Sequence, residues 1–435
     1  MNTQDLLASW SSLSFAEIEA RLQAGENEEV VEQLFGSNEV AEMRTLMATP
    51  RTLSQREAVV LLPGLMGSLI SSIRGVTTLL WINPAIFLNG QSRYLELNQA
   101  GSGDKSPNIE AVPISLEKVV YLKIGLALSR QVDLYEFPYD WRRPIESNGD
   151  ILFEYIERWA DGNPNQQFTL VGHSMGGLVS RAYLARHTRV AERRVKHLIM
   201  HGTPHFGAAA TIQNLIEGNQ MMDIVTKLNN KNQPRRLVMN LPSVYQLLPS
   251  PPNLFPTSRP YPANWDLYDA AAWQLEDLRQ DYLDAGRRFH ELLIGADPQV
   301  QMTEIAGCNV DTLVEAQRES GSGDKPQYKY IHKGEGPDSG DGTVPLWSAL
   351  LPGASVYYIQ QGHVDLPSNR QVIKATLDLI NGGTPDLPTQ LPPRRSGLFR
   401  GGTLAPAEDE ADRLRGRLEE GTANAEDLSR LYFAL

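Results

Sequence analysis

Residues 167–187 constrain this chain more than any other stretch. Gln167-Phe168-Thr169-Leu170-Val171 is a short apolar run that reads as a buried strand, and from Leu178 onward apolar positions return at helical spacing. Between them stands Gly172-His173-Ser174-Met175-Gly176-Gly177, which contains Gly-x-Ser-x-Gly. A serine at such a junction sits on a strained strand-to-helix turn, so that its hydroxyl projects from the sheet. Gly172 and Gly176 carry no Cβ, which lets strand and helix approach closely around that turn. The bare pentapeptide is common, but framed by strand and helix it predicts a nucleophile elbow with Ser174 as nucleophile. The plainer reading, a serine capping a helix, asks nothing of the rest of the chain. A nucleophile asks for partners.

A serine hydroxyl attacks poorly until a base takes its proton, and the base needs an orienting carboxylate. After a strand–elbow–helix unit these partners follow in chain order, the acid and then the histidine. Of eight histidines, His173 adjoins Ser174 and cannot reach its hydroxyl from the required side. His187, His197, His201 and His205 follow too soon, His290 lies in an inserted helix, and His332 precedes the best acid. His363 remains, directly behind the strand-like Ser355-Val356-Tyr357-Tyr358-Ile359. One strand earlier, Asp341 occupies a glycine-flanked turn, Ser339-Gly340-Asp341-Gly342-Thr343-Val344-Pro345. Asp338, Asp365 and Asp311 are alternative acids in loops that fit less well. The expected catalytic set is Ser174, Asp341 and His363.

Acyl transfer builds negative charge on the carbonyl oxygen, and fixed backbone N–H groups stabilise it. The residue after the nucleophile, Met175, offers one such amide. The apolar run Ala58-Val59-Val60-Leu61-Leu62 ends in Pro63-Gly64-Leu65-Met66-Gly67-Ser68, a strand running into a glycine turn at Gly64, and Leu65 offers the second. Further strand runs at 132–137, 195–200 and 301–307 complete an α/β pattern. The expected fold is therefore an α/β-hydrolase fold, a mostly parallel central sheet flanked by helices, with cap or lid insertions near 68–110 and 208–300. Residues 1–50 read as a helical accessory segment opened by a capping box at Ser14-Phe15-Ala16-Glu17. Residues 51–383 form the catalytic domain, and 384–435 a Pro-rich, acidic, partly disordered and partly helical tail. The broken apolar stretch 69–100 fits either a lipid-facing cap or an internal helix pair. Tyr139-Asp140-Trp141-Arg142-Arg143 reads as a structural turn in which Asp140 pairs with Arg142 or Arg143. Gly101-Ser102-Gly103-Asp104-Lys105 recurs at Gly321-Ser322-Gly323-Asp324-Lys325; without Walker spacing both are turns, not phosphate cradles.

A net charge of −12 and a pI near 5.3 leave no electrostatic footprint for nucleic acid or for anionic membranes, so peripheral membrane contact would be apolar. One cysteine, Cys308, excludes an intrachain disulfide and a cysteine-based zinc site, and no His-Glu-x-x-His occurs. Neither a metal nor a cofactor is expected. The start, Met1-Asn2-Thr3-Gln4-Asp5-Leu6-Leu7, lacks the basic and apolar blocks of a signal peptide, and no run reaches the length of a spanning helix. A cytoplasmic or peripherally membrane-associated protein is the expectation.

Several motifs stand together in one order. Pro63-Gly64-Leu65-Met66-Gly67-Ser68, Pro138-Tyr139-Asp140-Trp141-Arg142, Gly172-His173-Ser174-Met175-Gly176-Gly177, Gly202-Thr203-Pro204 and Gly340-Asp341-Gly342-Thr343-Val344-Pro345 resemble the lecithin:cholesterol acyltransferase and phospholipid:diacylglycerol acyltransferase family. Pro242-Ser243-Val244-Tyr245-Gln246-Leu247-Leu248-Pro249 is similar to part of its cap. The resemblance covers roughly residues 55–383. It implies Ser174 as nucleophile, Asp341 as orienting acid, His363 as base and Leu65 and Met175 as oxyanion amides. It also implies a lipid ester substrate, a phospholipid or acylglycerol, whose acyl group rests on Ser174 before passing to an alcohol. Water as acceptor would make the chain a lipase or phospholipase, and a catalytically silent binding scaffold is the third reading. Secreted animal members carry a signal peptide and disulfides, one of them in a membrane-contacting lid; this sequence has neither.

Overall fold

Val59, Val60, Leu61 and Leu62 are all buried, without the alternation of a half-exposed strand, as expected where a parallel sheet is covered on both faces. The same continuous burial recurs at Phe168–His173. In the computed structural model the described residues are 1–48, 50–51, 56–74, 77–256, 258–319, 326–395 and 407–432. The Gly321–Lys325 repeat, Val76 and Phe433 lie outside them. The chain divides into two compact units: Met1–Asp140 with Gly218–Leu237 and Gly401–Leu435, and Trp141–Glu217 with Val238–Arg400.

The first unit holds β1 (Ala58–Leu62), β2 (Ser68–Ser72), β3 (Thr78–Trp81), β4 (Ala111–Leu116) and β5 (Asp133–Glu136). β1 and β5 are parallel, with Ala58 opposite Asp133. β2 lies between β3 and β4 in an antiparallel sheet. Stretch 69–100 is therefore partly strand, not a helix pair. Register shifts at Leu69/Ile70 and Ile70/Ser71 and a proline at 113 break the alternation by which β2 and β4 would be recognised.

Four helices, Thr3–Trp10, Phe15–Gln23, Glu28–Phe35 and Ser37–Ala48, precede β1. The Ser14–Glu17 capping box forms: Glu17 N–H donates to Ser14 Oγ, and Ser14 N–H to Glu17 Oε2 at 2.8 Å. Phe15 packs over Gly125 of the buried helix Lys118–Gln131, where a Cβ would lie 2.4 Å from its ring. Fully buried Glu19 binds Arg130 and, at 2.9 Å, Arg51. Asn232 Nδ2 donates to Phe87 O and Val225 O, tying residues 229–232 to the helices Pro84–Leu88 and Gln220–Leu228. Helix Ala407–Glu420 docks on the second of these through Arg415, which donates to Lys227 O and Leu228 O.

The second unit carries the parallel strands β6 (Phe168–His173), β7 (Val195–His201), β8 (Gln301–Gly307) and β11 (Ser355–Ile359), in the order β11-β8-β7-β6. The antiparallel pair β9 (Thr312–Glu319) and β10 (Gln327–Lys333) lies outside that sheet. Helices Ile145–Ala160 and Met175–Arg186 pack together so tightly that a Cβ on Gly149 would come 2.9 Å from Tyr183 N. Helix Arg370–Ile380 packs on β7, with His201 Nε2 2.9 Å from Thr376 Oγ1. This is the mostly parallel, helix-covered sheet of an α/β hydrolase. Among the described residues no helix is long and apolar enough to cross a membrane. Trp141 and Arg142 are fully buried and Asp140 nearly so.

Candidate active site

The chain leaves β6 through Ser174 at φ 54° and ψ −123°, a left-handed conformation that non-glycine residues rarely hold. Ser174 N–H donates to His201 O at the end of β7 (2.8 Å), which fixes the turn to the neighbouring strand. Gly172 and Gly177 make the turn geometrically feasible. A Cβ on Gly172 would lie 2.7 Å from Gly177 N, and one on Gly177 would lie 2.0 Å from Thr203 Oγ1. Gly176 O accepts the Ser180 hydroxyl, closing the first helical turn.

Three loops at the same sheet edge bring the expected groups together. His363, in the turn after β11, places Nε2 2.9 Å from Ser174 Oγ and Nδ1 2.7 Å from Asp341 Oδ2. The other Asp341 oxygen accepts the Thr343 and Val344 amides at 3.0 and 2.7 Å, so the carboxylate is held at both ends. His363 N–H donates to Asp341 O at 2.8 Å, locking the two loops together by backbone as well. All three side chains are buried or nearly so. Asp341 Oδ2 accepts from Nδ1–H, which leaves Nε2 free to accept the serine proton.

The alternative acids are engaged elsewhere: Asp338 with Arg259, Asp311 with His332 at 3.3 Å, and Asp365 with Gln361 at 3.4 Å. His173 has a different part. Its Nε2–H donates to His363 O at 3.0 Å, so the residue beside Ser174 holds the backbone of His363. Burial, with His363 and His201 nearby, pushes the His173 pKa well below its usual value, and the ring stays neutral.

Met175 N–H opens the helix Met175–Arg186, and among the described residues no acceptor takes it, as expected of a first-turn amide. In the other unit, Pro63–Gly67 forms a turn closed by Gly67 N–H to Gly64 O (3.0 Å), with Met66 at φ 64°. Gly64 N–H is taken by Tyr121 Oη at 2.7 Å, whereas among the described residues nothing takes the Leu65 amide. Among the described residues no group of three His, Cys, Asp or Glu could hold a metal ion.

Sequence reasoning overlooked a second cluster behind this site, formed by Glu304, His205 and Arg181. Glu304 sits in the middle of β8 and is fully buried, as is His205. A glutamate inside a buried parallel strand was the available signal, since an ionisable group survives there only with partners.

Residues 119–371 match the model of the lecithin:cholesterol acyltransferase family. Human lysosomal phospholipase A and acyltransferase is 28% identical over 265 residues, 56% of this chain and 58% of that protein. Lecithin-cholesterol acyltransferase-like 4 of Arabidopsis thaliana is 23% identical over 137 residues, covering 29% of this chain and 25% of that one. The chain thus spans little more than half the length of the human relative. Among solved structures, the Tle4–Tli4 complex aligns with 75% of this chain and 98% of its own at a TM-score of 0.51 and 13% identity, a likeness of fold.

Proposed function

The chain belongs to the lecithin:cholesterol acyltransferase family, and from that premise we propose that it is a serine O-acyltransferase acting on lipid esters. The observation that carries the proposal is the continuous hydrogen-bonded chain Ser174–His363–Asp341, on a strained elbow beside the Met175 amide, which no described residue accepts. Approach of an ester carbonyl to Ser174 Oγ lets His363 Nε2 take the hydroxyl proton as the new C–O bond forms. Asp341, which Thr343 and Val344 hold in place, stabilises the imidazolium and keeps its orientation. The Met175 amide stabilises the oxyanion. Collapse expels the leaving alcohol, which takes its proton from His363, and leaves the acyl group on Ser174. An incoming alcohol then gives its proton to His363 and receives the acyl group, and His363 Nε2 returns that proton to the departing Ser174 Oγ.

Water entering in place of that alcohol would yield free fatty acid, and the name of the human relative contains both outcomes. Both pass through the same acyl-enzyme. One incubation separates them: purified protein, vesicles of acyl-labelled phospholipid, and a sterol or diacylglycerol acceptor, beside Ser174→Ala. Label in a new neutral ester supports transfer. Label only in fatty acid moves the reading to phospholipase, and equal products from Ser174→Ala would overturn Ser174 as nucleophile.

A further inference from the structure

Gly202 and Thr203, the first residues beyond β7, border both the Asp341–His363 pair and the elbow helix. A Cβ on Gly202 would lie 2.9 Å from Asp341 Oδ2 and 3.1 Å from His363 Nδ1, so this turn backs directly onto the acid–base hydrogen bond. Thr203 packs against Gly177 of the elbow helix. What holds the turn is a carboxylate: Thr203 N–H donates to Glu304 Oε1 at 3.2 Å, while Gly202 N–H donates to Ile305 O at 3.1 Å.

Glu304 does not end the network. Its Oε2 lies 3.2 Å from His205 Nε2, and His205 Nδ1 lies 3.3 Å from Arg181 Nη1. The proton positions follow from the partners. A guanidinium only donates, so His205 Nδ1 accepts, Nε2 carries the hydrogen, and Glu304 Oε2 receives it. Arg181 Nη2 donates to Leu293 O at 3.0 Å. The histidine thus separates the buried Arg181 guanidinium from the buried Glu304 carboxyl and stays neutral itself; burial and the adjacent Arg181 both push its pKa well below the usual value. Burial also pushes the Glu304 carboxyl upward, against the pull of the Thr203 and Gly202 amides. Buried polar groups are tolerated when they are hydrogen-bonded, and here the carboxyl and the guanidinium are joined through an imidazole.

We propose that Glu304 is a positioning residue for the Ser174 site, the accepting end of a buried Glu304–His205–Arg181 chain that fixes the Gly202–Thr203 turn against Asp341, His363 and the elbow helix. This rests on the reading of Ser174 as nucleophile. Glu304 touches no reacting atom and acts through the turn.

The hydrogen polarity makes a test that a mere packing role would not pass. In Glu304→Gln the side-chain oxygen can keep Thr203, but its NH2 then meets His205 Nε2–H, donor against donor. Adding Arg181→Met frees Nδ1 to carry the proton, so Nε2 can accept from the introduced amide and the chain closes again, uncharged. The readouts are the labelling rate of Ser174 by a fluorophosphonate probe, and kcat and KM on a soluble ester. Glu304→Gln is expected to slow both the labelling rate and kcat by roughly 10–100-fold with KM nearly unchanged. The double variant should recover a large part of that loss, a non-additivity expected of residues in one network. Histidine-selective 15N NMR on the full wild-type chain supplies the measurement that needs no variant: His205 should show a protonated Nε2 and an unprotonated Nδ1. A protonated Nδ1, unchanged labelling in folded Glu304→Gln, or purely additive losses in the double variant would each overturn the proposal. Absence of label on the wild-type protein would instead sink the serine-enzyme reading, and the positioning role with it.

Discussion

Gly177 and Thr203 meet at the junction of the elbow helix and the turn after β7, with no space between them for a methyl group: a Cβ on Gly177 would stand 2.0 Å from Thr203 Oγ1. Among the described residues the buried Thr203 hydroxyl has no hydrogen-bond partner, so it fills volume there and little else. Gly177→Ala is therefore expected to destabilise the protein by about 1–3 kcal/mol through overpacking and to slow probe labelling of Ser174. Gly177→Ala with Thr203→Ala should regain most of both, because the second change removes the atoms in conflict. Thermal unfolding and labelling rate measured on the single and double variants check this. Equal defects in the two would mean that the glycine serves the backbone alone.

Asp341 holds His363 Nδ1–H at 2.7 Å and is itself held by two amides. Asp341→Asn preserves the shape, but its amide can present a hydrogen to Nδ1 and favour the tautomer in which Nε2 bears the proton. Nε2 then cannot take the serine proton. A fall in kcat of about 10⁴ is expected for that fault, with unfolding close to wild type. A loss of less than tenfold would reassign the acid.

Legibility from sequence followed how local each signal was. The elbow was readable because strand, Gly-x-Ser-x-Gly and helix are contiguous, and because a strained turn needs its glycines at set positions. Asp341 and His363 were singled out from their order in the chain and the strand between them; their distances from Ser174 are properties of the folded sheet. Glu304–His205–Arg181 was not readable as a network. Arg181 lies 24 residues before His205 and Glu304 lies 99 beyond it, and each has meaning only beside the others. The β9–β10 hairpin was missed for another reason. Thr312-Leu313-Val314-Glu315-Ala316-Gln317-Arg318-Glu319 mixes apolar and charged residues without strict alternation, and β10 shifts register at Ile331/His332. Period-2 reasoning has little to hold there.

Acid should weaken the fold before ordinary carboxylates begin to titrate. Burial lowers the His201 and His290 pKa values from 6.5 to about 4. A histidine whose folded pKa is depressed binds its proton more readily when unfolded. Its contribution is complete above the unfolded pKa, near 6.5, and is lost as pH falls toward 4. Each such group adds a slope of ~1.4 kcal/mol per pH unit inside that window. His173 and His205 act in the same sense, and Glu304, whose carboxyl burial raises, in the opposite one. Urea unfolding at pH 7, 6 and 5 should show stability dropping steeply with acid. A flat profile would show that these rings are not held neutral.

In the first unit, Glu19 is fully buried between Arg130 and Arg51. Removing one member of a buried pair leaves the other charge without its partner, which typically costs about 3–5 kcal/mol. Glu19→Ala should lower the urea midpoint accordingly, whereas Glu19→Ala with Arg130→Met should be less damaged than the single change. If the two variants match, the buried guanidinium was not the source of the cost.

Ser174 supplies a prediction in which stability and activity separate. Its φ of 54° and ψ of −123° are costly for a residue with a Cβ, and backbone strain of this kind typically amounts to about 1–3 kcal/mol. Ser174→Ala removes the hydroxyl and its hydrogen bond to His363 but keeps the Cβ and hence the strain. Ser174→Gly removes the strain too, because glycine adopts positive φ readily, although its freer unfolded chain returns part of that gain. Both variants should be unlabelled by the probe. The glycine variant should nonetheless unfold at a higher temperature than the alanine variant, by a margin of about 1 kcal/mol in stability. At an unstrained helix start the order would be reversed or level. A Gly variant less stable than the Ala variant would mean that the turn is not strained at Ser174, and that another part of the elbow holds the hydroxyl toward His363.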